Sequence, residues 1–242
     1  GVLFFDERLQ AAYKNWLRIL FTTPSPHLEG KTLAEEPAMA LFQIQNEDSL
    51  LFWTVNNMLD HPYRRALIES AFARWAFEKY GSLENAIIAW GGDARPEDDL
   101  GAHRLGIISI YDYTQFARRD GTAYTARHAD QLQFMAETMY AFHEEIRRFV
   151  REDLDCPVLV NAGNWRPADP VFLNDVERYT YTACEVDAVN RYFDAPHVGP
   201  DANWSVAVGH RFQSRSLLKD VPLNFMLNLK QTADRPFLVT ES

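Results

Sequence analysis

Two cysteines in 242 residues are too few for a disulfide framework or a four-thiolate metal site. Cys156 and Cys184 each stand just before an expected strand, which leaves two readings open: a disulfide between them, or two ordinary buried thiols. No apolar run approaches the roughly 18 residues that a membrane-spanning helix needs. Basic residues are in deficit, 24 Lys and Arg against 34 Asp and Glu, for a net charge of −10. Nucleic acid is therefore not an expected partner, because phosphate binding needs clustered Lys and Arg; a neutral substrate suits this surface better. No G-x-S-x-G elbow is present, and "HEE" at His143 lacks the two-His helical spacing of a zinc protease. No fixed-period repeat is visible. The opening residues, Gly1-Val2-Leu3-Phe4-Phe5, show neither a start methionine nor the charged-then-apolar pattern of a signal peptide, so they read as a cut. The compartment is not legible, beyond a lean toward a secreted or periplasmic protein.

What is present is an ordinary globular composition, 47% hydrophobic and 24% charged. Asp6 is placed to cap a helix whose apolar positions Leu9, Tyr13, Trp16 and Leu20 fall at helical steps. A strand is expected over about 39–45. Pro62 suits the first turn of a helix through Tyr80, and Gly81 its end; Ser82 caps a second, short helix. Residues from about 91 to 127 read as a long loop or lid. The clearest helix runs from about His128 to Glu152, with Leu132, Met135, Met139, Phe142, Ile146 and Phe149 on one stripe. "CPVLVNAGNW" is an expected strand, "VFLNDVERYTYTACE" a helix, "VDAVNRYF" a strand, and "RPFLVTE" a fourth.

Strands separated by helices imply βαβ units and a parallel sheet, either doubly wound or a (β/α)8 barrel. An open sheet would be favoured by a Gly-rich phosphate turn after a strand, and none is present. Polar residues at strand carboxyl ends favour the α/β class in its (β/α)8 TIM-barrel form, whose active sites are assembled there. Four strands cannot close a barrel. The expectation is a partial catalytic barrel over residues 1–242, with an insertion of roughly 53–127 between one strand and its following helix.

Two strand ends carry glutamates. Alternation puts Glu47 on the face of Gln45 and Gln43, with Ile44 and Phe42 on the other; the same count puts Glu241 with Val239 and Phe237. Two carboxyl groups facing one another are what glycoside hydrolysis uses: one protonates the leaving oxygen while the other attacks the anomeric carbon.

In this order, "FQIQNEDS", "DAVNRYF" and "PFLVTES" resemble the glycoside hydrolases of clan A, and "FEKYGSLENAIIAWGG" is similar to a segment of family 42 β-galactosidases and their relatives. The resemblance implies a retaining glycosidase on a TIM barrel, with this chain running from helix three to the end of strand seven. It implies Glu47 as acid/base after strand four and Glu241 as nucleophile after strand seven. Asn46 would bind the sugar 2-hydroxyl, and Tyr192 would hydrogen-bond the nucleophile. Many clan members have His where this chain has Asn190, so the substrate-side role of that position is open. Trp165 is the best placed of three tryptophans, with Trp53 and Trp204, to stack on a sugar ring. Arg191 is either a substrate contact or the partner of a barrel carboxylate, and Asp48 reads as a cap or support. The expected partner is an oligo- or polysaccharide, with no cofactor and no metal. The alternative reading is a non-catalytic carbohydrate-binding protein on a degenerate barrel; a metal-dependent barrel hydrolase is a third.

Overall fold

The carboxylate of Asp6 accepts hydrogen bonds from the backbone N–H groups of Arg8 and Leu9, which starts helix α1, Glu7–Thr22. The computed structural model describes residues 1–190, Val208 and 232–241, and every statement below concerns these. Of the stripe that the spacing suggested for α1, only Tyr13 turns to the core, partly buried with its hydroxyl donating to the Ile44 carbonyl at 2.7 Å. Leu17 and Phe21 are fully buried, whereas Leu9, Trp16 and Leu20 are 45%, 53% and 41% exposed. Both sets recur at helical spacing, so periodicity alone could not choose between them. Contact decides: the Phe21 ring packs edge-on against Phe42, 5.2 Å away on the first strand.

That strand, β1 (Leu41–Gln43), is followed by α2 (Thr54–Leu59), α3 (Pro62–Tyr80) and α4 (Leu83–Ala89). Gly81 ends α3 at φ 80°, a left-handed conformation that glycine takes without a Cβ clash, and the Ser82 hydroxyl caps α4 through the N–H of Asn85. Residues 91–125 are largely irregular, as expected, with two short helical pieces, a 3-10 turn over Ile110–Tyr113 and the helix α5 (Gln115–Arg119). They are nonetheless packed: Leu105, Ile108 and Ile110 are fully buried. A loose lid is the wrong image for this segment.

Thr125 caps α6, Ala126–Arg148, which passes into a single π turn over Phe149–Asp153. Its expected stripe is in the core at Met135, Met139, Phe142, Ile146 and Phe149, with Leu132 partly buried against it. Strand β2 (Leu159–Asn161), helix α7 (Asn174–Tyr181), and strands β3 (Asp187–Asn190) and β4 (Phe237–Glu241) complete the described elements. Cys156 and Cys184 are buried free thiols, so of the two open readings the disulfide falls.

All strand pairings among these four are parallel. β1 lies beside β2 with Leu41, Phe42 and Gln43 opposite Leu159, Val160 and Asn161. The ladder continues past β1, as the N–H groups of Ile44 and Gln45 donate to the carbonyls of Asn161 and Ala162. A single parallel bridge joins Asn161 to Val186 and so sets β3 beside β2. β3 in turn pairs with β4. The four strands thus form two two-stranded parallel sheets, β1–β2 and β3–β4, joined by that one bridge in chain order, with their carboxyl ends on the same side. The described residues contain no closed barrel.

Candidate functional site

The carboxyl end of β1 runs into Asn46-Glu47, and the backbone of Glu47 is left-handed at φ 50°. A side chain with a Cβ disfavours that region by roughly 1–2 kcal/mol, so something specific must hold it there. Asn164, three residues beyond β2 in the order Ala162-Gly163-Asn164, supplies the hold. Its side-chain oxygen accepts the Glu47 N–H at 2.9 Å, and its amide donates to the Asn46 side-chain oxygen at 2.7 Å. Gln43 donates to the same Asn46 oxygen at 3.3 Å. With two donors on that oxygen, Asn46 has its own amide N–H groups to offer outward.

β3 ends in Asn190, only 3% exposed, and this residue links the two glutamate-bearing strand ends. Its side-chain N–H donates to the Glu47 carboxylate at 2.7 Å, and its side-chain oxygen accepts the Thr240 hydroxyl at 2.7 Å. Its backbone N–H donates to the Asn164 carbonyl at 2.7 Å.

In register it faces Glu241, not Thr240, because a bulge interrupts the β3–β4 pairing after Val189. Simple alternation had grouped Glu241 with Val239. The extra residue changes that grouping, since Val239 opposes Val189 while Thr240 and Glu241 together oppose Asn190. Bulges re-aim side chains at sheet ends, and this one brings the Glu241 backbone beside the amide that already touches Glu47.

Below this row, α7 ties the loops together. Ser49, just after Glu47-Asp48, donates to Glu177 at 2.6 Å in the interior. The Glu177 carboxyl also meets the Tyr181 hydroxyl, which accepts the backbone N–H of Trp165 at 3.1 Å. Burial raises the Glu177 carboxyl above its ordinary range, against the pull of Arg178 and these hydrogen bonds. Arg178 joins Asp187 at 2.8 Å and donates to the carbonyls of Ala188 and Trp165, both at 2.7 Å. Gly163 leaves a side chain little room: a Cβ there would sit 3.2 Å from the Tyr181 hydroxyl and 3.4 Å from the Gln45 carbonyl, so either neighbour would have to give by a few tenths of an ångström.

Trp165 is therefore fixed at its backbone from both sides, and its half-buried ring meets Phe52 edge-on at 4.9 Å. Trp53 is partly exposed in the turn before α2. Tyr192, Arg191 and Trp204 lie outside the described residues. Of the expected site, the structure gathers Asn46, Glu47, Asn190 and the Glu241 backbone at one sheet edge, with Trp165 beside them on the β2 loop. Among the described residues, no group of three or more His, Cys, Asp or Glu side chains is arranged to hold a metal ion. No helix among the described residues is long and apolar enough to cross a membrane.

Asn164 and the Ser49–Glu177–Tyr181 bridge were missed in the sequence. The one available signal for Asn164 was its place in "NAGNW", a polar residue directly after a buried strand, where Trp165 drew the attention instead. Comparison with protein families, curated proteins and solved structures finds no match for this chain.

Proposed function

We propose that the protein is a retaining glycoside hydrolase acting on a β-linked oligo- or polysaccharide, and that β1 to β4 are the fourth to seventh strands of a (β/α)8 barrel. The observation that carries the reading is the position of Asn190. It is hydrogen-bonded to Glu47 and paired in register with Glu241, two residues that sit far apart along the chain. The parallel strands, in chain order with no reversal among them, are the arrangement that consecutive strands of a barrel take. Barrel active sites form at the carboxyl edge, where this cluster lies.

In the proposed mechanism the Glu241 carboxylate attacks the anomeric carbon while the Glu47 carboxylic acid gives its proton to the departing oxygen. The resulting glycosyl ester is hydrolysed when Glu47, now a carboxylate, takes a proton from the attacking water. The Asn190 amide, donating to a Glu47 oxygen, orients that carboxyl for proton transfer. Asn46, its oxygen already occupied, presents N–H to the sugar 2-hydroxyl. Trp165 is a stacking surface on the β2 loop beside these strand ends.

Glu241→Gln tests the assignment directly. Hydrolysis of an activated aryl β-glycoside should fall by roughly 10³-fold or more, as it does when an enzyme loses its nucleophile. Turnover at the wild-type rate by that variant rejects it. Saccharide binding without turnover by the unmodified protein, across a broad glycoside panel, instead favours a carbohydrate-binding protein on the same scaffold.

A further inference from the structure

Asn164 is 1% exposed, belongs to none of the groups that would touch a sugar, and is joined to three residues that line the site. Its side-chain oxygen takes the Glu47 N–H, its side-chain amide goes to Asn46, and its backbone carbonyl takes the Asn190 N–H. Those partners stand at the ends of β1 and β3, on either side of the β2 loop that carries Asn164.

A buried amide with both ends committed fixes a direction, because neither end can swap donor for acceptor without losing a bond. The Glu47 backbone it holds is left-handed, a conformation that a non-glycine residue keeps only under external restraint. At Gly163 beside it, an added Cβ would come within 3.2 Å of the Tyr181 hydroxyl and 3.4 Å of the Gln45 carbonyl, so the loop backbone runs close to both.

We propose that Asn164 is the positioning residue for Glu47: through the Glu47 N–H and Asn46 it holds the carboxyl where it can deliver a proton to the leaving oxygen. The inference rests on the glycosidase reading above and extends it to a residue behind the reacting atoms. A positioning role makes a prediction that a merely structural one does not. Misplacing the acid harms substrates whose leaving group needs a proton and spares those whose leaving group departs unaided.

The experiment compares wild type, Asn164→Ala, Asn164→Asp and Glu241→Gln on two aryl glycosides of one sugar, a dinitrophenyl and an unsubstituted phenyl glycoside. Asn164→Ala should lose about 100-fold in kcat/KM on the phenyl substrate and under about 10-fold on the dinitrophenyl one, in line with the usual weight of general acid catalysis. Asn164→Asp keeps the acceptor for the Glu47 N–H and should recover at least about 10-fold of the phenyl loss. Should the alanine variant fail to unfold cooperatively, Asn164→Ser, which leaves a hydroxyl and room for water, is read in its place. Equal losses on both substrates, or none on either, overturn the inference while the glycosidase reading stands on the inactivity of Glu241→Gln. Wild-type turnover by Glu241→Gln overturns both.

Discussion

At Glu47 a side chain expected to do chemistry sits on a backbone that resists it. Its φ of 50° is a region where glycine is comfortable and alanine is not. Glu47→Gly and Glu47→Ala both remove the carboxyl and its bond to Asn190, so the difference between them isolates the backbone. Glycine should be the more stable by about 1 kcal/mol, the ordinary cost of a Cβ in this conformation, with both variants inactive. Equal denaturant midpoints would show that Glu47 is not strained. Much of this residue-scale picture was legible in sequence. Asn46 and Glu47 announce themselves as polar groups running straight out of a strand, with Gln43 and Gln45 sharing the face of Glu47. Asn164 did not, because its importance lies in three contacts across the sheet and none along the chain. Glu241 stands out in the sequence, but its pairing with Asn190 does not: alternation counts residues on one strand, and the bulge is a property of two.

Elements were read best where the signal is local. Asp6, Pro62, Gly81 and Ser82 mark helix ends through their own side chains or their own φ, and each does so as expected. The face of α1 was misjudged since two apolar sets share its period and only Phe42 selects between them. The long connection between β1 and β2 was the least legible, for its order comes from one buried cation. Arg127 is fully buried, holds both oxygens of Asp98 at 2.6 and 2.7 Å, and donates to the carbonyls of Asp93 and Gly106, each at 2.8 Å. It also lies over the Trp90 ring, 5.0 Å from its centre. A polar-looking stretch is thereby folded around a charge on the neighbouring helix. Burial pushes the Asp98 carboxyl up, but Arg127 and the N–H groups of Arg95 and Gly106 outweigh this and hold it below its ordinary range. Arg127→Met strands that carboxylate in the interior and should cost about 3–5 kcal/mol in urea unfolding, the usual penalty for halving a buried pair. Adding Asp98→Asn should return part of the loss. A cost below about 1 kcal/mol would mean the pair does not organise the segment.

For the molecule as a whole, the sheet order and the placement of buried titratable groups decide how it responds to its surroundings. His143 on α6 lies among Phe4, Phe142 and Tyr181, with ring centres 5.7 to 5.9 Å away, and its Nδ1–H donates to the Thr180 carbonyl at 3.2 Å. It thus joins α6 and α7, the two helices that pack under the site. Burial lowers its pKa from 6.5 to about 4, only partly opposed by the Thr180 carbonyl. Between those two values the unfolded chain binds a proton that the folded chain refuses. Folding must therefore weaken as pH falls through that window, by at most about 1.4 kcal/mol per pH unit from this one group, and its full contribution is present above the upper value. Glu69, Glu177 and Asp187, raised by burial, act with the opposite sign above their ordinary values, while Asp98, Asp130 and Asp169 are held low and lose their contribution only in stronger acid. These groups remain in a His143→Phe variant, so the difference between variant and wild type isolates the imidazole. Phenylalanine fits the aromatic surroundings but leaves the Thr180 carbonyl without its donor, which should cost about 1 kcal/mol at neutral pH. In return its stability should decline less steeply than the wild type's between pH 7 and pH 5, so the two urea midpoints converge. Parallel loss in the two proteins would mean that His143 takes up its proton without leaving the core.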